Sequence, residues 1–413
     1  MSRKILILTP QNPFPPDQGA PIRNYNFIKY LGATGKYNIA LLTFARPEET
    51  SQSREASYIE LSKYCERVEF VAHPPTRSKS RRVQSLALNP LPDLALRLAS
   101  PQFQEMLNHL VIEFKPDILL CEALELAPFV RELFKNSETS HPKLVLDEHN
   151  AEYLLQKRAY ESDFKTGLRH YPTALYSYIQ TQRLSKYESE ALHFFDAAIA
   201  VSDNDRKALL KLNPNTHIKV IPNGIDLDEY APDRADAELP DRLVFTGSMD
   251  FRPNVDAVLW FANEIWDKIR LARPEATFFI VGRRPTPAVQ ALAKLPGITV
   301  TGTVPDARPF VQEAALYLVP MRMGGGVRFK VLEALAMGKA VLTTPMGADG
   351  IPVNSGKEVL IANNSQEFSA AAIRLLQNPT LRKELADNGR TFVAEHFDWH
   401  KITPLLDEIL CSR

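Results

Sequence analysis

The sequence predicts an α/β protein with two doubly wound domains, each built on a parallel sheet that is covered by helices on both faces. Three observations support this fold class. The chain has 413 residues, which is too long for one ordinary hydrophobic core and favours two domains. Short apolar runs alternate with helical patterns from end to end. The segment Asp228–Asp241 is polar, contains prolines and lacks apolar periodicity, so it indicates a linker between two halves.

Each half contains a series of predicted strands. In the first half they are Lys4–Leu8, Asn38–Thr43, Arg67–Ala72, Asp117–Cys121, Lys143–Asp147, Ala197–Val201 and Ile218–Ile221. In the second half they are Arg242–Thr246, Thr277–Val281, Ile298–Thr301, Ala315–Val319, Ala340–Thr343 and Val359–Ile361. The first domain is therefore predicted at 1–230 and the second from 241, with 231–240 as the linker. Ligands of open parallel sheets bind at the carboxyl ends of the strands, so functional residues are expected directly after strands.

Composition and charge exclude several classes of protein. Lysine plus arginine and aspartate plus glutamate both total 49, and the net charge of +0 gives no reason to expect a nucleic acid partner. Cys65, Cys121 and Cys411 match no zinc or redox spacing, so reduced thiols in a cytoplasmic protein are expected. The apolar run at the N-terminus is too short for a secretory signal, and no run is long enough for a membrane-spanning helix.

The stretch 320–341 has the strongest functional signal. Three consecutive glycines, Gly324, Gly325 and Gly326, follow an apolar run that is typical of a buried parallel strand. A helical pattern begins shortly after them. Because glycine lets the backbone approach a ligand closely and the first N–H groups of a helix are unpaired, this order of elements predicts an anion-binding site.

Three charged side chains extend this predicted site. Arg328 and Lys330 add positive charge where a helix start already favours anions, and Glu333 is an acceptor suited to a diol such as ribose. Each feature alone is better explained as a loop, a solvated cation or a helix-surface glutamate, but the combination after a strand favours ligand binding. Residues two apart do not share a helix face, so Arg328 must still lie in the entry turn of the helix if both cations meet one ligand.

Two strand ends in the first domain carry candidate residues. A proline-rich loop after the first strand leads to Gly19 at a helix start, which is a weak phosphate signal and equally consistent with an ordinary turn. The fifth strand is followed by several polar groups, among them His149. A lone histidine is more often structural, but its position at a strand end makes a functional role about as plausible.

The first strand of the second domain ends in a comparable pattern. Gly247 and Ser248 follow the strand, and Arg252 and Asn254 precede a predicted helix, Val255–Ile269. These residues form a second candidate contact for a phosphate group. The alternative for Asn254 is a helix cap, which is a common role for asparagine.

Two D-x-D patterns have the spacing of metal-binding carboxylate pairs. Asp203–Asp205 looks like a helix start, and Asp226–Asp228 lies in a turn beside the linker. Magnesium and manganese need several convergent oxygens, which neither pattern supplies, so no metal site is predicted. The first strand is not followed by a GxGxxG pattern and the chain has no P-loop lysine motif, which counts against dinucleotide and ATP chemistry.

The segment 76–82 is strongly basic. Arg77, Lys79, Arg81 and Arg82 fall within seven residues, and a stretch rich in leucine and alanine follows. A solvated basic loop is the simpler interpretation. The alternative is a peripheral contact with anionic lipid headgroups, in which each cation contributes about 1 kcal/mol.

Taken together, these motifs resemble the family 4 glycosyltransferases of the GT-B fold, which are retaining enzymes that use nucleotide-diphosphate sugars. The segments VSDNDRKALL, FTGSMDFRPN and GGGVRFKVLEALAMGK occur in the family's order, and the resemblance covers essentially the whole chain. It implies two Rossmann-like domains that face each other across a cleft. It also implies that the second domain ends near 396 and that a C-terminal helix, at about 397–413, returns to the first domain.

The resemblance assigns roles to the glycine stretch. Arg328 and Lys330 would neutralise the donor diphosphate. Glu333 would be the second glutamate of the family's E-x7-E element, which holds the ribose. The first glutamate of that element falls at Gly325 and is absent, so the backbone N–H groups of the glycine loop would contact the donor instead.

Further donor contacts are implied elsewhere in the chain. His149 would reach the donor sugar from the first domain, and Gly19 would lie beneath that sugar. Gly282, Val304 and Asp306 would line the pocket for the base.

The site after the first strand of the second domain would also contact the donor. Gly247 and Asn254 would lie near the diphosphate, with Arg252 in place of the lysine that the family often has there. The two cations of the glycine stretch and His149 would be the catalytic residues. Transfer would need no metal and no cofactor beside the nucleotide-sugar donor, and the acceptor would be a glycan or a lipid-linked glycan in polysaccharide biosynthesis.

Two other functions stay open at this stage. A nucleotide-sugar 2-epimerase shares the two-domain architecture and needs no acceptor. A catalytically silent protein could retain the nucleotide pocket, because Gly325 replaces the expected glutamate. The acceptor is expected to contact variable loops of the first domain, within Pro10–Arg23, Pro74–Pro101 and Asn150–Tyr187. If the basic segment meets lipid, the protein would be peripheral at the inner face of the membrane.

Overall fold

The computed structural model describes residues 2–17, 19–135, 141–166, 171–232, 238–324 and 328–412. Residue contacts divide the chain into two compact units. The first contains Met1–Pro222 and Ile402–Arg413, and the second contains Asn223–Lys401. Strands alternate with helices in each unit, so the predicted α/β class with two parallel sheets is confirmed.

The first unit is built on a parallel sheet that has seven strands over the described residues. They are β1 (Arg3–Thr9), β2 (Tyr37–Phe44), β3 (Arg67–Val71), β4 (Ile118–Glu122), β5 (Lys143–Glu148), β6 (Ala197–Ala200) and β7 (Ile218–Val220). Their order across the sheet is β3-β2-β1-β4-β5-β6-β7. The strands form because apolar runs are buried on both faces, and Ile5, Leu6 and Ile7 are fully buried examples. Every strand predicted in this half is present.

Helices connect these parallel strands. They are α1 (Gly19–Ala33), α2 (Ser51–Leu61), α3 (Lys79–Leu88), α4 (Asp93–Leu96), α5 (Pro101–Phe114), α6 (Ala127–Phe134), α7 (Glu152–Thr166), α8 (Tyr171–Phe194) and α9 (Asp203–Leu212). The strand order reverses between β1 and β4, so right-handed crossovers place helices on both faces of the sheet. This reversal is the point at which open sheets of this kind bind ligands.

The second unit contains a six-stranded parallel sheet over the described residues. Its strands are β8 (Leu239–Thr246), β9 (Thr277–Val281), β10 (Ile298–Gly302), β11 (Ala314–Val319), β12 (Val341–Thr343) and β13 (Leu360–Ile361). The order is β10-β9-β8-β11-β12-β13. Its helices are α10 (Arg252–Glu264), α11 (Trp266–Ala272), α12 (Pro287–Ala291), α13 (Arg308–Gln312), α14 (Phe329–Ala336), α15 (Ser365–Gln377) and α16 (Pro379–His396). All six strands predicted in this half are present.

One helix differs from the prediction. The sequence predicts a single helix at Val255–Ile269, but the structure has two, α10 and α11. They are separated at Ile265, whose φ of −118° departs from helical geometry. The side chain of Ile265 is fully buried in the core of the unit. Apolar periodicity alone predicted a continuous helix because both helices bury apolar residues in the same core.

The boundaries of the units also correct the prediction. Residues 223–230 were assigned to the first domain, but they belong to the second unit. The backbone N–H of Ile225 donates to the carbonyl of Phe397 over 2.7 Å. Gly224 lies so close to the indole of Trp399 that a Cβ atom there would be 2.5 Å from the ring. These contacts attach the segment to the end of the second unit.

The last helix, α17 (Trp399–Cys411), contains the second division of the chain. The first unit resumes at Ile402 rather than at about 397, because Phe397 is buried in the core of the second unit. Within the predicted linker 231–240, residues 233–237 lie outside the described part of the chain, and β8 already begins at Leu239.

Two further predictions concern the environment of the chain. Among the described residues, every helix is too short or too polar to traverse a bilayer. Cys65 and Cys121 are buried and Cys411 is exposed, and all three are free thiols, as the sequence predicts.

Candidate active site

The glycine stretch of the second unit has the geometry that two cooperating cations require. Arg328 is the N-cap residue of α14, with φ of −89° and ψ of 93°, and Lys330 lies in the first turn of that helix. Arg328 is only 8% exposed. Gly324 has φ of 112°, and a Cβ atom there would be 2.7 Å from a guanidinium nitrogen of Arg328. The position therefore favours glycine for its backbone conformation, and a side chain there would also displace the guanidinium of Arg328.

Two residues of the predicted loop cannot be assigned a geometry. Gly325 and Gly326 lie outside the described residues. Their predicted role as backbone donors to a ligand stays a prediction.

Lys330 is held by oxygen atoms that carry no net charge. Its Nζ donates to the carbonyl of Thr246 over 2.8 Å and to Oδ1 of Asn254 over 2.9 Å. The same nitrogen lies 4.1 Å from the ring centroid of Phe245. Burial, and secondly the charge of Arg328, lower the pKa of Lys330 to about 7. An anion placed here would restore the charged form of the amine.

Asn254 anchors the lysine and does not cap a helix. The N-cap residue of α10 is Phe251, and Asn254 lies in the first turn. The Nδ2 of Asn254 donates to the carbonyl of Ser248 over 2.9 Å, while its Oδ1 accepts from Lys330. The cap alternative is therefore wrong. Sequence reasoning did place Asn254 at the site, but its partner is 76 positions away along the chain and could not be identified locally.

Glycine is required at the ends of two neighbouring strands, β8 and β9. A Cβ atom on Gly247 would be 2.7 Å from Nδ2 of Asn254 and 3.0 Å from Nζ of Lys330. A Cβ atom on Gly282 would be 1.7 Å from the carbonyl oxygen of Gly247. The first glycine makes room for the lysine and the second makes room for the first. Arg252, the remaining candidate at this strand end, is exposed at the first position of α10.

Glu333 lines a cavity of about 360 Å³ in the second unit. Residues three apart on a helix share a face, so Glu333 lies on the same side of α14 as Lys330. Tyr230 donates its hydroxyl to Oε1 of Glu333 over 3.3 Å. Burial raises the pKa of Glu333 above its usual value. Sequence reasoning missed Tyr230, although its position at the end of the segment NGIDLDEY is a possible signal.

The predicted base-pocket residues are distributed unequally around this cavity. Asp306 lines it together with Arg308, whose Nε lies 2.9 Å from Asp306 Oδ2. Hydrogen bonds from Arg308 hold the pKa of the Asp306 carboxyl below its usual range. Val304 packs partly buried against the core, and Gly282 lies against Gly247. Neither of these two is among the residues that line the cavity.

The first unit has its candidate site where β4 and β5 end. Glu122 and Asp147 are register partners on these neighbouring parallel strands, so His149, two residues further on, follows the same sheet edge. Arg23 on α1 contacts Asp147 through both arms of its guanidinium, with Nε to Oδ2 at 2.6 Å and Nη2 to Oδ1 at 2.9 Å. Arg23 and Asp147 are both almost completely buried.

Protonation in this cluster is set by burial and by Arg23. Burial raises the pKa of Glu122 well above its usual value. Burial acts in the same direction on Asp147, but the charge and hydrogen bonds of Arg23 outweigh it and hold the pKa of Asp147 below its usual range. His149 Nε2 lies 3.3 Å from Glu122 and 3.7 Å from Asp147. Burial lowers the pKa of His149, so its ring is neutral near neutral pH.

The same cluster contains residue types that bind metal ions, but not all of its ligand atoms are free to do so. Glu122, Asp147 and His149 each present a ligand atom within 4.8 Å of the others. Both carboxylate oxygens of Asp147 are already bound by Arg23, and a guanidinium beside the ligands opposes a divalent cation. The D-x-D patterns are local structure, because Ser202 caps α9 at Asp205 and Asp226 accepts the N–H of Asp228.

A cavity of about 280 Å³ opens beside His149 within the first unit. Gly19, predicted near the transferred sugar, is the exposed first residue of α1, and the next residue, Ala20, lines this cavity. Ala123 also lines it and has φ of 98°, an uncommon value for a residue with a side chain. A larger cavity of about 710 Å³ in this unit includes Leu144 at the start of β5, at the opposite ends of the strands.

The basic segment is partly neutralised within the first unit. Arg77 and Arg82 both pair with Asp93. Arg81 is exposed on α3, and the side chain of Lys79 lies outside the described part of the structure. Two of the predicted cations therefore have an acidic partner.

Comparisons with known families agree with the geometry of both units. Residues 19–229 match the family described as "Glycosyltransferase Family 4", and residues 240–378 match "Glycosyl transferases group 1". A Klebsiella pneumoniae protein of 44.6 kDa, described as uncharacterized and encoded in the cps region, is 22% identical over 97% of both chains. An uncharacterized glycosyltransferase of Methanocaldococcus jannaschii is 33% identical over 25% of this chain and 28% of its own.

Solved structures show the same fold. Sucrose-phosphate synthase from Thermosynechococcus elongatus superposes with a TM-score of 0.69 at 17% identity, over 98% of both chains. The HepE protein of Anabaena, in complex with UDP and glucose, superposes with a TM-score of 0.67 at 15% identity over the full length of both. The first family match alone spans half of the sequence. The chain therefore belongs to glycosyltransferase family 4 and is a transferase of the GT-B fold with two Rossmann-like units.

Proposed function

We propose that this glycosyltransferase moves a sugar from a nucleotide-diphosphate sugar to a hydroxyl acceptor and retains the configuration of the anomeric carbon. The observation that carries the proposal is the environment of Lys330. Its amine is held by the neutral oxygens of Thr246 and Asn254 beside the charge of Arg328. The charged form of such a lysine is stabilised when a ligand supplies negative charge. The structural neighbour from Anabaena was solved with UDP and glucose, which supports a nucleotide-sugar donor.

The second unit supplies the groups for each part of the donor. Arg328, Lys330 and the N-terminus of α14 bind the diphosphate, because all three favour negative charge at one place. Glu333 accepts the hydroxyls of the ribose, with Tyr230 orienting its carboxyl. The cavity of about 360 Å³ holds the nucleoside.

The reaction follows from where charge develops. The bond from the anomeric carbon to the oxygen of the β-phosphate breaks, and a bond to the acceptor oxygen forms on the same face of the sugar. The acceptor proton passes to the departing phosphate oxygen. Arg328 and Lys330 stabilise the leaving diphosphate more strongly than the intact donor, so they lower the barrier. No metal ion is needed, because the two cations supply that charge.

His149 contributes a neutral hydrogen-bonding group. Its lowered pKa keeps the ring uncharged, so it can accept or donate a hydrogen bond with a sugar hydroxyl without attracting the diphosphate. Glu122 lies 3.3 Å from Nε2 and holds the ring at that nitrogen. We therefore assign His149 to the orientation of the transferred sugar.

The donor test begins with nucleotide-sugars and no acceptor. A thermal-shift panel of UDP-, GDP-, ADP- and dTDP-sugars identifies the donor, since a ligand that binds only the folded state raises the Tm. Release of nucleotide diphosphate is then measured for Arg328→Ala and Lys330→Ala. We expect each substitution to lower turnover about 100- to 1,000-fold, the usual effect of losing one group that stabilises developing charge.

Arg322→Ala is the matched control for these variants. Arg322 lies in the same stretch but is exposed, pairs with Asp256 over 2.6 Å and does not contact Lys330 in the described structure. Its loss should leave turnover unchanged. Near-normal turnover in either of the first two variants would overturn the proposal, as would conversion of the donor to its 2-epimer.

The acceptor side of the proposal concerns a lipid-linked glycan at the cytoplasmic face of a membrane. Arg81 is exposed on α3, and Val83 and Leu88 of the same helix are 63% and 76% exposed. Cations beside exposed apolar side chains favour an anionic bilayer surface. We expect co-sedimentation with vesicles that contain phosphatidylglycerol but not with phosphatidylcholine alone. Leu88→Glu should abolish it, whereas Ile112→Glu, a change at a comparably exposed residue, should not.

A further inference from the structure

The cavity of about 280 Å³ in the first unit combines residues from several separate loops. Pro10, Gln11 and Ala20 come from the region after β1, Arg97 and Leu98 follow α4, and Asn150 and Glu152 follow β5. Glu125 and Glu148 complete an acidic part of the wall. These loops include the segments in which an acceptor contact was expected from the sequence.

Glu148 is an unusual member of this wall. It is 1% exposed, and within the described structure its Oε1 has no hydrogen-bond partner. Burying a carboxyl oxygen without a hydrogen-bond partner is unfavourable, because the oxygen has lost its contacts with water. Burial raises the pKa of Glu148 well above its usual value, so the group is neutral and can both donate and accept. An incoming hydroxyl would satisfy it.

Glu152 is available to a ligand because another residue caps its helix. Glu152 is the first residue of α7, and the backbone N–H groups of Glu152 and Tyr153 donate to Glu188 over 2.8 and 3.0 Å. The carboxyl of Glu152 is therefore not needed for capping. Burial, and secondly the charge of Glu125, raise the pKa of Glu152 to about 7.

The charges of the wall discriminate between ligands. The cation of the wall, Arg97, lies 3.3 Å from Glu125, so these two charges offset each other. Among the described lining residues Arg97 is the one side chain that carries positive charge at neutral pH, and it offsets the charge of Glu152 only in part. A uronate or phosphate group would meet carboxyl groups and would force them to stay protonated, whereas hydroxyl groups would find acceptors.

We propose that this cavity is the acceptor subsite, and that it takes an uncharged hexose through hydroxyl groups bound to Glu148 and Glu152 while it excludes acidic sugars. His149 lines the same cavity. The residue assigned to the transferred sugar and the acceptor carboxyls therefore share one wall of the first unit. The inference rests on the proposed transferase function and adds the chemical class of its acceptor.

Saturation-transfer NMR on the full chain tests this selection, because it detects weak binding of small sugars. The probes are the methyl glycosides of glucose, galactose and mannose, with methyl glucuronide and methyl galacturonide as their acidic counterparts. We expect signal from at least one neutral glycoside and none from the acidic ones. Glu152→Gln should weaken the neutral ligand at least about fivefold, the effect of losing a hydrogen bond to a charged group.

The carboxyl groups of the wall also allow a prediction in which binding is gained. The double change Glu148→Gln and Glu152→Gln removes both carboxyl groups that an acidic sugar would force to stay protonated, so it should give the glucuronide or galacturonide a measurable signal. Glu132→Gln is the control, because Glu132 is exposed and pairs with Lys135 on α6. Thermal melts establish that each variant is folded. If the double variant is not folded, the same measurement is made on Glu152→Gln alone.

Each outcome has a defined meaning. Equal binding of acidic and neutral glycosides, or no binding of any glycoside, would overturn the subsite. An unchanged neutral signal in Glu152→Gln would do the same. Loss of donor turnover in the Lys330 variant is measured without any acceptor, so the proposed function can stand while this inference fails.

Discussion

The two candidate sites bury ionisable groups in opposite ways. In the second unit, the hydrogen bonds of Lys330 go to a carbonyl and an amide oxygen, so the site has positive charge that a ligand can neutralise. In the first unit, Asp147 is neutralised by Arg23, and Glu122 and Glu148 are kept protonated by burial. The comparison teaches that one site is prepared for an anion and the other for uncharged hydroxyl groups.

The largest expected effect is a loss of stability when the buried ion pair of the first unit is broken. Asp147→Asn would remove the charge of the carboxylate that two nitrogens of Arg23 contact, and Arg23 is 1% exposed. Breaking a buried ion pair by removing one member typically costs about 3–5 kcal/mol. We expect a loss of this size in the free energy of unfolding measured with urea.

The control for that variant is a more exposed ion pair in the same unit. Arg46 and Asp17 lie 2.9 Å apart, with 38% of the aspartate side chain exposed. Asp17→Asn should cost no more than about 1 kcal/mol. Similar losses of stability in the two variants would mean that Arg23 and Asp147 do not neutralise each other as a buried ion pair.

A smaller effect tests whether Lys330 takes up a proton when an anion binds. Its pKa of about 7 in the free protein should rise when a nucleotide diphosphate binds, because the anion favours the charged amine. At pH 8 the free amine is mostly neutral, so binding should take up a proton. Affinity should then fall as pH rises above 7, by at most about tenfold per pH unit for one linked proton.

Calorimetry in two buffers of different ionisation enthalpy measures this proton directly. In Lys330→Met the uptake at pH 8 should disappear, although the affinity will also be lower. Uptake that persists in this variant would show that another group titrates. The predicted contrast with the first unit would then lose its main support.

The smallest predicted effect concerns the orientation of Glu333. Tyr230→Phe removes one hydroxyl at 3.3 Å from the carboxyl and should raise the Kd for the nucleotide by an amount equivalent to about 0.5–1.5 kcal/mol. The turnover number should change less than KM. A nucleotide with 2′,3′-dideoxyribose should bind both proteins equally, and a loss of affinity for it as well would mean that the tyrosine acts only on packing.

Local patterns in the sequence predicted the framework of both sites. Apolar runs predicted all thirteen strands found among the described residues, because buried parallel strands differ clearly from amphipathic helices. The spacing of Arg328 and Lys330 required the arginine to lie in the entry turn if both cations meet one ligand, and Arg328 is the N-cap residue of α14. Both inferences depend on neighbours within a few residues.

The interactions that set the chemistry could not be predicted in this way. Arg23 and Asp147 are 124 positions apart, and Lys330 and Asn254 are 76 apart. Nothing in the local sequence of either partner identifies the other. Tyr230 was missed for the same reason, because its hydroxyl meets a helix that begins about a hundred residues later. The fold brings these side chains together only when parallel strands are ordered across the sheet.

The setting of Lys330 also has a consequence for chemical labelling. An amine with a pKa of about 7 is largely unprotonated at pH 7.5, whereas exposed lysines remain charged. Its nitrogen is therefore the nucleophile that a small activated ester or aldehyde should modify first under mild conditions. A bound nucleotide diphosphate would both shield the amine and protonate it. Protection of this single lysine from acylation would then report occupancy of the donor site without any knowledge of the acceptor.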